Sequence, residues 1–113
     1  MDNIIQQISE KLTKKILEKA YSGGICDIDL LSSSVLEDCK SAARDILEEI
    51  VSDLNIKIRE DKPSRKARGL ILKEKNRERS LLTEIGRLDL PRDYYYDKKE
   101  EKYDYLLDKV IGL

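Results

Sequence analysis

Apolar residues at Ile4, Ile5, Ile8, Leu12, Ile16, Leu17 and Ala20 recur at threes and fours and predict a helix over residues 3–21. Glu10, Lys11, Lys14, Lys15 and Glu18 keep its other side wet. Ser22-Gly23-Gly24 then supplies a stop, because glycine takes the left-handed position at a helix end with least steric cost. Residues 25–33 read as a connection, with room for a short helical turn at Asp29–Leu31. Ser34 followed by Glu37 has capping-box spacing and predicts the start of a second helix. Val35, Leu36, Cys39, Ala42, Ala43, Ile46, Leu47, Ile50, Val51, Leu54 and Ile58 carry its apolar stripe until Pro63, which disfavours helical geometry at Lys62. At 1.5 Å per residue such a helix is about 40 Å long, more than the first helix alone can cover.

After Gly69 the period changes from helical to alternating. Residues 62–69 form a hinge in which Pro63 is well placed to begin one more helical turn. Leu70, Leu72 and Ile71 open a strand, and the charged run Lys73–Arg79 suits either one strand or a hairpin turning near Asn76-Arg77. The hairpin is the preferred reading. Around Gly86, Leu82, Glu84, Leu88 and Leu90 alternate with Thr83, Ile85, Arg87 and Asp89, so a bend or turn is expected at the glycine. Pro91 cannot donate a ladder hydrogen bond and belongs on an edge or at a strand start. Tyr94-Tyr95-Tyr96 makes a further run, Asp97–Glu101 a polar turn, and Lys102–Leu107 the returning strand. Alternation sets Tyr94 and Tyr96 opposite Tyr103 and Tyr105 as cross-strand pairs. The expected fold is α+β: two helices, the second long, then a small antiparallel sheet of three or four strands. It forms one domain over 1–113, with a helical part at 1–61 and a β part at 69–113.

Charge changes the picture more than composition does. The formal net charge of −1 hides a segregation. Residues 1–56 carry 11 acidic and 6 basic side chains, residues 57–79 carry 10 basic and 4 acidic, and residues 80–113 carry 6 basic and 8 acidic. The middle segment, with a balance of +6, is therefore a candidate polyanion footprint. Its candidate DNA-contacting residues are Lys62, Arg65, Lys66, Arg68, Lys73, Lys75, Arg77 and Arg79; Lys57 and Arg59 belong to the same segment. The bland alternative is a solvated surface, with Glu60, Asp61, Glu74 and Glu78 in ordinary pairs.

Other chemistry finds little support. There is no histidine, and Cys26 and Cys39 lack the partners of a four-ligand zinc site, so no metal and no cofactor are expected and both cysteines read as plain thiols. A tyrosine nucleophile would want arginine and histidine support, so sheet packing is the better reading of the five tyrosines after residue 93. Asp89, Asp93, Asp97, Asp104 and Asp108 sit in strands and turns without the scaffold of a two-metal site, and no catalytic residue or small-molecule substrate is assigned. The start lacks the basic region of a signal peptide, and no apolar run approaches a membrane span, so a cytoplasmic chain without a membrane partner is expected. Leu47, Ile50, Leu54 and Ile58, on the over-long stripe, are candidate residues for self-association.

The passage LLTEIGRLDLPRDYYYDKKEEKYDYLLDKVIGL resembles one found in ISLre-type insertion-sequence transposases, a group also described as uncharacterised bacterial proteins. Asn55–Asp61 (NIKIRED), Arg68–Leu70 (RGL) and Asn76–Leu82 (NRERSLL) are similar to the amino-terminal region of that family, in the same order. The hairpin departs from the family pattern, with Glu100-Glu101 where a glycine usually follows DKK. The resemblance implies a non-catalytic amino-terminal segment whose transposase body would follow Leu113. Its expected role is docking on double-stranded transposon-end DNA, subunit pairing, or both. The competing readings are a helical dimerisation module without a nucleic-acid role, and a decayed transposase fragment.

Overall fold

The computed structural model describes residues 2–22 and 27–113. Its elements are α1 (Asp2–Tyr21), α2 (Ile28–Glu60), α3 (Lys62–Ala67), β1 (Leu70–Thr83), β2 (Gly86–Asp97), β3 (Lys102–Asp104) and α4 (Leu106–Ile111). Helices thus precede a three-stranded antiparallel sheet of order β1-β2-β3, the α+β arrangement that the change of period predicts. No described helix is long and apolar enough to cross a membrane. The chain forms two compact units, one of Met1–Leu47 with Leu82–Arg87 and one of Glu48–Leu81 with Leu88–Leu113.

In the first unit α1 and the amino-terminal part of α2 run antiparallel. Lys19 donates to Ser34 Oγ at 2.6 Å and to Asp38 Oδ2 at 2.8 Å, while Ile8 and Leu12 line a seam with Ala42 and Asp45. The helix α2 begins at Ile28, ahead of the expected Ser34 cap. Asp27 performs the capping instead: its carboxylate accepts the Asp29 N–H at 2.8 Å and its carbonyl accepts the Leu31 N–H at 3.0 Å. Ser34 lies inside the helix, where its hydroxyl serves Lys19. The expected glycine stop at Gly23-Gly24 falls outside the described residues. The tip of the β1–β2 hairpin joins this unit, held by Arg44, whose Nη1 donates to the Ile85 carbonyl at 2.6 Å. Gly86 sits at φ +109°, and a Cβ there would lie 2.8 Å from Arg44 Nη1, so a side chain meets both strain and a neighbour.

The second unit carries most of the buried apolar residues. Leu70, Tyr95 and Leu106 cluster, with Ile58 and Leu72 packed against them; Val51, Leu88, Leu90 and Leu107 are buried as well. Each such side chain contributes roughly 1.5–3 kcal/mol by leaving water. The expected short helix after Pro63 is α3; Asp61 caps it by accepting the Ser64 N–H at 3.3 Å.

The strands differ from expectation in three places. β1 runs unbroken through Asn76-Arg77, and the chain reverses at Glu84-Ile85 instead. Asn76 does take a turn-like φ of +54°, but within the strand, where its N–H is aimed at Asp93. Pro91 lies in the central strand, neither on a sheet edge nor at a strand start. β3 reaches only Tyr95, Tyr96 and Asp97 (opposite Asp104, Tyr103 and Lys102), so on that side β2 is still unpaired at Pro91 and the missing N–H leaves no gap in the β2–β3 ladder. The returning strand stops at Asp104, and Leu106-Leu107 start α4 as buried helix residues.

Candidate nucleic-acid interface

The second unit is built around a buried carboxylate. Asp93 is fully buried and Asn55 nearly so. Asp93 Oδ1 accepts from Arg59 Nη2 at 2.8 Å, the Asn76 N–H at 2.9 Å and Asn55 Nδ2 at 3.1 Å. Oδ2 accepts from Arg59 Nε at 2.6 Å and more weakly from the Tyr95 hydroxyl at 3.4 Å. The Asp93 N–H in turn donates to Asn55 Oδ1 at 2.9 Å. Burial pushes the Asp93 carboxyl up, but the hydrogen bonds from Arg59, Asn76 and Asn55 outweigh it and hold the group below the usual carboxylate range. The same bond raises the Arg59 guanidinium. Burial, and then the Asp93 charge, push the Tyr95 hydroxyl up to about 12. Saturated with donors, Asp93 is a fastener between α2 and the sheet. Its partner Asn55 has one sequence signal, a polar residue four positions after Val51 on the apolar stripe.

This node settles the role of Arg59, which is held by Asp93 despite belonging to the basic segment. The candidate cations themselves divide into two groups. Lys62, Arg65, Lys66 and Arg68 lie on or beside α3, and the β2–β3 turn brings Lys98 and Lys99 to the same place. Gly69 beside them takes φ +71°, a conformation that favours glycine, with Lys99 Cγ and Lys98 Cβ at ordinary contact distance, 3.4 Å and 3.6 Å, from its Cβ position. The Lys98 N–H donates to the Gly69 carbonyl at 2.9 Å, and Lys99 Nζ donates to the Ala67 carbonyl at 2.8 Å. Lys62, Arg65, Lys66 and Lys98 rim a cleft of about 270 Å³ over Gly69 and Leu70. Arg65 Nε is buried there without a hydrogen-bond partner among the described residues. Among those residues the ion pairs of this unit engage Lys57, Arg59, Arg77, Arg79, Arg92 and Lys109, and not the cations around this cleft.

The second group follows β1 along the outer face of the sheet. Arg77 lies over Tyr94 at 4.6 Å and is paired with Glu74 at 3.3 Å, and Lys73 approaches the Tyr96 ring at 6.0 Å. Arg79 Nη1 lies 3.9 Å from Asp108, which also receives Arg92 at 2.8 Å. Lys75 stands exposed. The tyrosines pack on one another: Tyr103 stacks on Tyr94 at 5.0 Å and tilts against its strand partner Tyr96 at 5.0 Å, while Tyr105 meets Tyr94 at 4.8 Å. Lys98, Lys99 and Arg92 were not among the residues singled out from the sequence, because only the topology brings them to the two groups.

The candidate association stripe is divided. Leu47 is exposed, Ile50 and Leu54 are half-buried, and Ile58 packs on the Leu70–Tyr95–Leu106 cluster. Cys39 is an exposed free thiol, and Cys26 lies outside the described residues. No group of three or more metal-ligating side chains is found among the described residues.

Compared with known proteins, residues 23–113 match the model of a family described as an uncharacterised protein family (UPF0236), and the chain belongs to that family. No curated protein and no solved structure matches the chain.

Proposed function

We propose that this UPF0236 member is a non-catalytic DNA-docking segment of a transposase of the insertion-sequence type, which contacts the backbone of duplex DNA through the cations around α3. The observation that carries this reading is the gathering of Lys62, Arg65, Lys66 and Lys98 around one cleft without carboxylate partners among the described residues. Long cationic side chains on one surface are what phosphate contact requires. The transposase context is supported by the resemblance of residues 81–113 and of the shorter passages before them. The test is duplex binding by fluorescence anisotropy for the chain and for a Lys62→Gln, Lys66→Gln, Arg68→Gln, Lys98→Gln variant. The variant is expected to stay folded and lose at least tenfold in affinity at low salt. Equal binding by both would exclude this cleft.

Subunit pairing is the second reading, favoured by Tyr21, Ile28, Leu30 and Leu36, exposed apolar side chains of the first unit. Sedimentation of the chain and of an Ile28→Asp, Leu30→Asp variant tests it: a dimer that the variant dissociates supports pairing, and a monomer at every concentration excludes it.

A further inference from the structure

We propose that the outer face of the sheet stacks an unpaired nucleobase on Tyr103, so that the protein holds single-stranded nucleic acid as well as duplex. This rests on the nucleic-acid reading above and specifies the form of strand that a second surface takes. Tyr103 lies parallel to Tyr94, with centroids 5.0 Å apart and planes 10° from one another, and Tyr96 braces it from β2. Despite both neighbours it is 55% exposed. A ring fixed in orientation yet open to solvent is the arrangement on which bases stack, and stacking accepts any base because each has a π-face.

Charge on the same face favours a polyanion. Arg77, 4.6 Å over Tyr94, is matched by Glu74, but Arg79 and Arg92 share the single carboxylate of Asp108, which leaves one net positive charge beside the Tyr105 ring, 3.6 Å from Arg92. Lys73 and Lys75 add exposed ammonium groups from β1. The carboxylates of this region are mostly engaged: Asp108 by Arg92, Asp104 by Lys109 at 2.6 Å, Glu74 by Arg77, and Asp97 by the N–H groups of Lys99 and Glu100. Glu100 and Glu101, exposed in the turn, are the opposing charges. The buried neighbour Tyr95 points into the core and takes no part, which separates the packing tyrosine of this strand from the accessible one across the ladder.

The experiment compares binding of a single-stranded oligothymidylate and of a duplex to the intact chain, to Tyr103→Ala and to Tyr103→Phe. Anisotropy gives the affinities, and quenching of tyrosine fluorescence reports contact with the ring. Tyr103→Ala is expected to lose about tenfold in single-strand affinity, the scale of one stacked base. Its duplex affinity is expected to stay within twofold, and Tyr103→Phe to bind both like the intact chain. Unchanged single-strand binding by Tyr103→Ala, or a chain that binds duplex and not the oligothymidylate, overturns the stacking site and leaves the duplex reading standing. Absence of binding to both forms overturns both readings together.

Discussion

Asp93 is where one residue decides most. Removing it leaves Arg59, Asn55 and the Asn76 N–H facing an emptied buried site, so Asp93→Ala is expected to destabilise the fold by about 3 kcal/mol or more, read from denaturant unfolding. Its pH dependence has a definite sign. The folded carboxyl is held below its ordinary value, so its contribution is present above about pH 5 and disappears as the medium becomes more acid than about pH 4. Tyr95 works from the other end. Its hydroxyl is pushed up to about 12, so stability is whole below about pH 10 and falls by on the order of 2–3 kcal/mol as pH rises towards 12. Thermal melts across pH should therefore show an alkaline loss that Tyr95→Phe removes. Gly86 makes a separate claim: alanine at φ +109° is expected to cost about 1–3 kcal/mol in a thermal melt.

At the scale of elements, what was legible followed from apolar periodicity. Ile8, Leu12 and Ile16, then Ala42, Ile46 and Val51, announce two helices, and the alternation around Gly86 announces the turn. Ser34 and Glu37 have capping-box spacing, but α2 starts earlier because the operative cap at Asp27 needs only its own carboxylate and the N–H two residues on. β1 departs from expectation for a different reason. Lys73–Asn76 are all exposed and carry no buried-exposed alternation, so nothing local distinguishes a strand from a turn. Asn76 does take the left-handed φ that a turn would need, yet what holds it there is the Asp93 carboxylate, 17 residues later. Asn76→Ala, which keeps the strained φ and loses the Arg59 contact, is expected to destabilise by about 2 kcal/mol; Asn76→Gly relieves the strain and should recover about 1 kcal/mol of it. Equal melting temperatures for the two variants would mean that the backbone conformation carries no strain.

For the whole molecule, the candidate site was half legible. The excess of positive charge over residues 57–79 points to α3 and β1, but a charge count cannot tell engaged cations from available ones. The fold separates them: Arg59 is bound to Asp93, and Arg77 and Arg79 are paired, whereas Lys62, Lys66 and Lys98 meet around the Gly69 cleft. Lys98 and Lys99 join Lys62 and Lys66 through the β2–β3 turn, a proximity that no local pattern encodes. If this cluster is an electrostatic footprint for nucleic acid, the salt dependence of duplex binding reveals it most directly. The logarithm of affinity is expected to fall linearly with the logarithm of salt concentration, with a slope of about −3 to −5, since each phosphate engaged contributes about −0.9. A flat dependence, or no binding at about 50 mM salt where even non-specific contacts are strong, would contradict it.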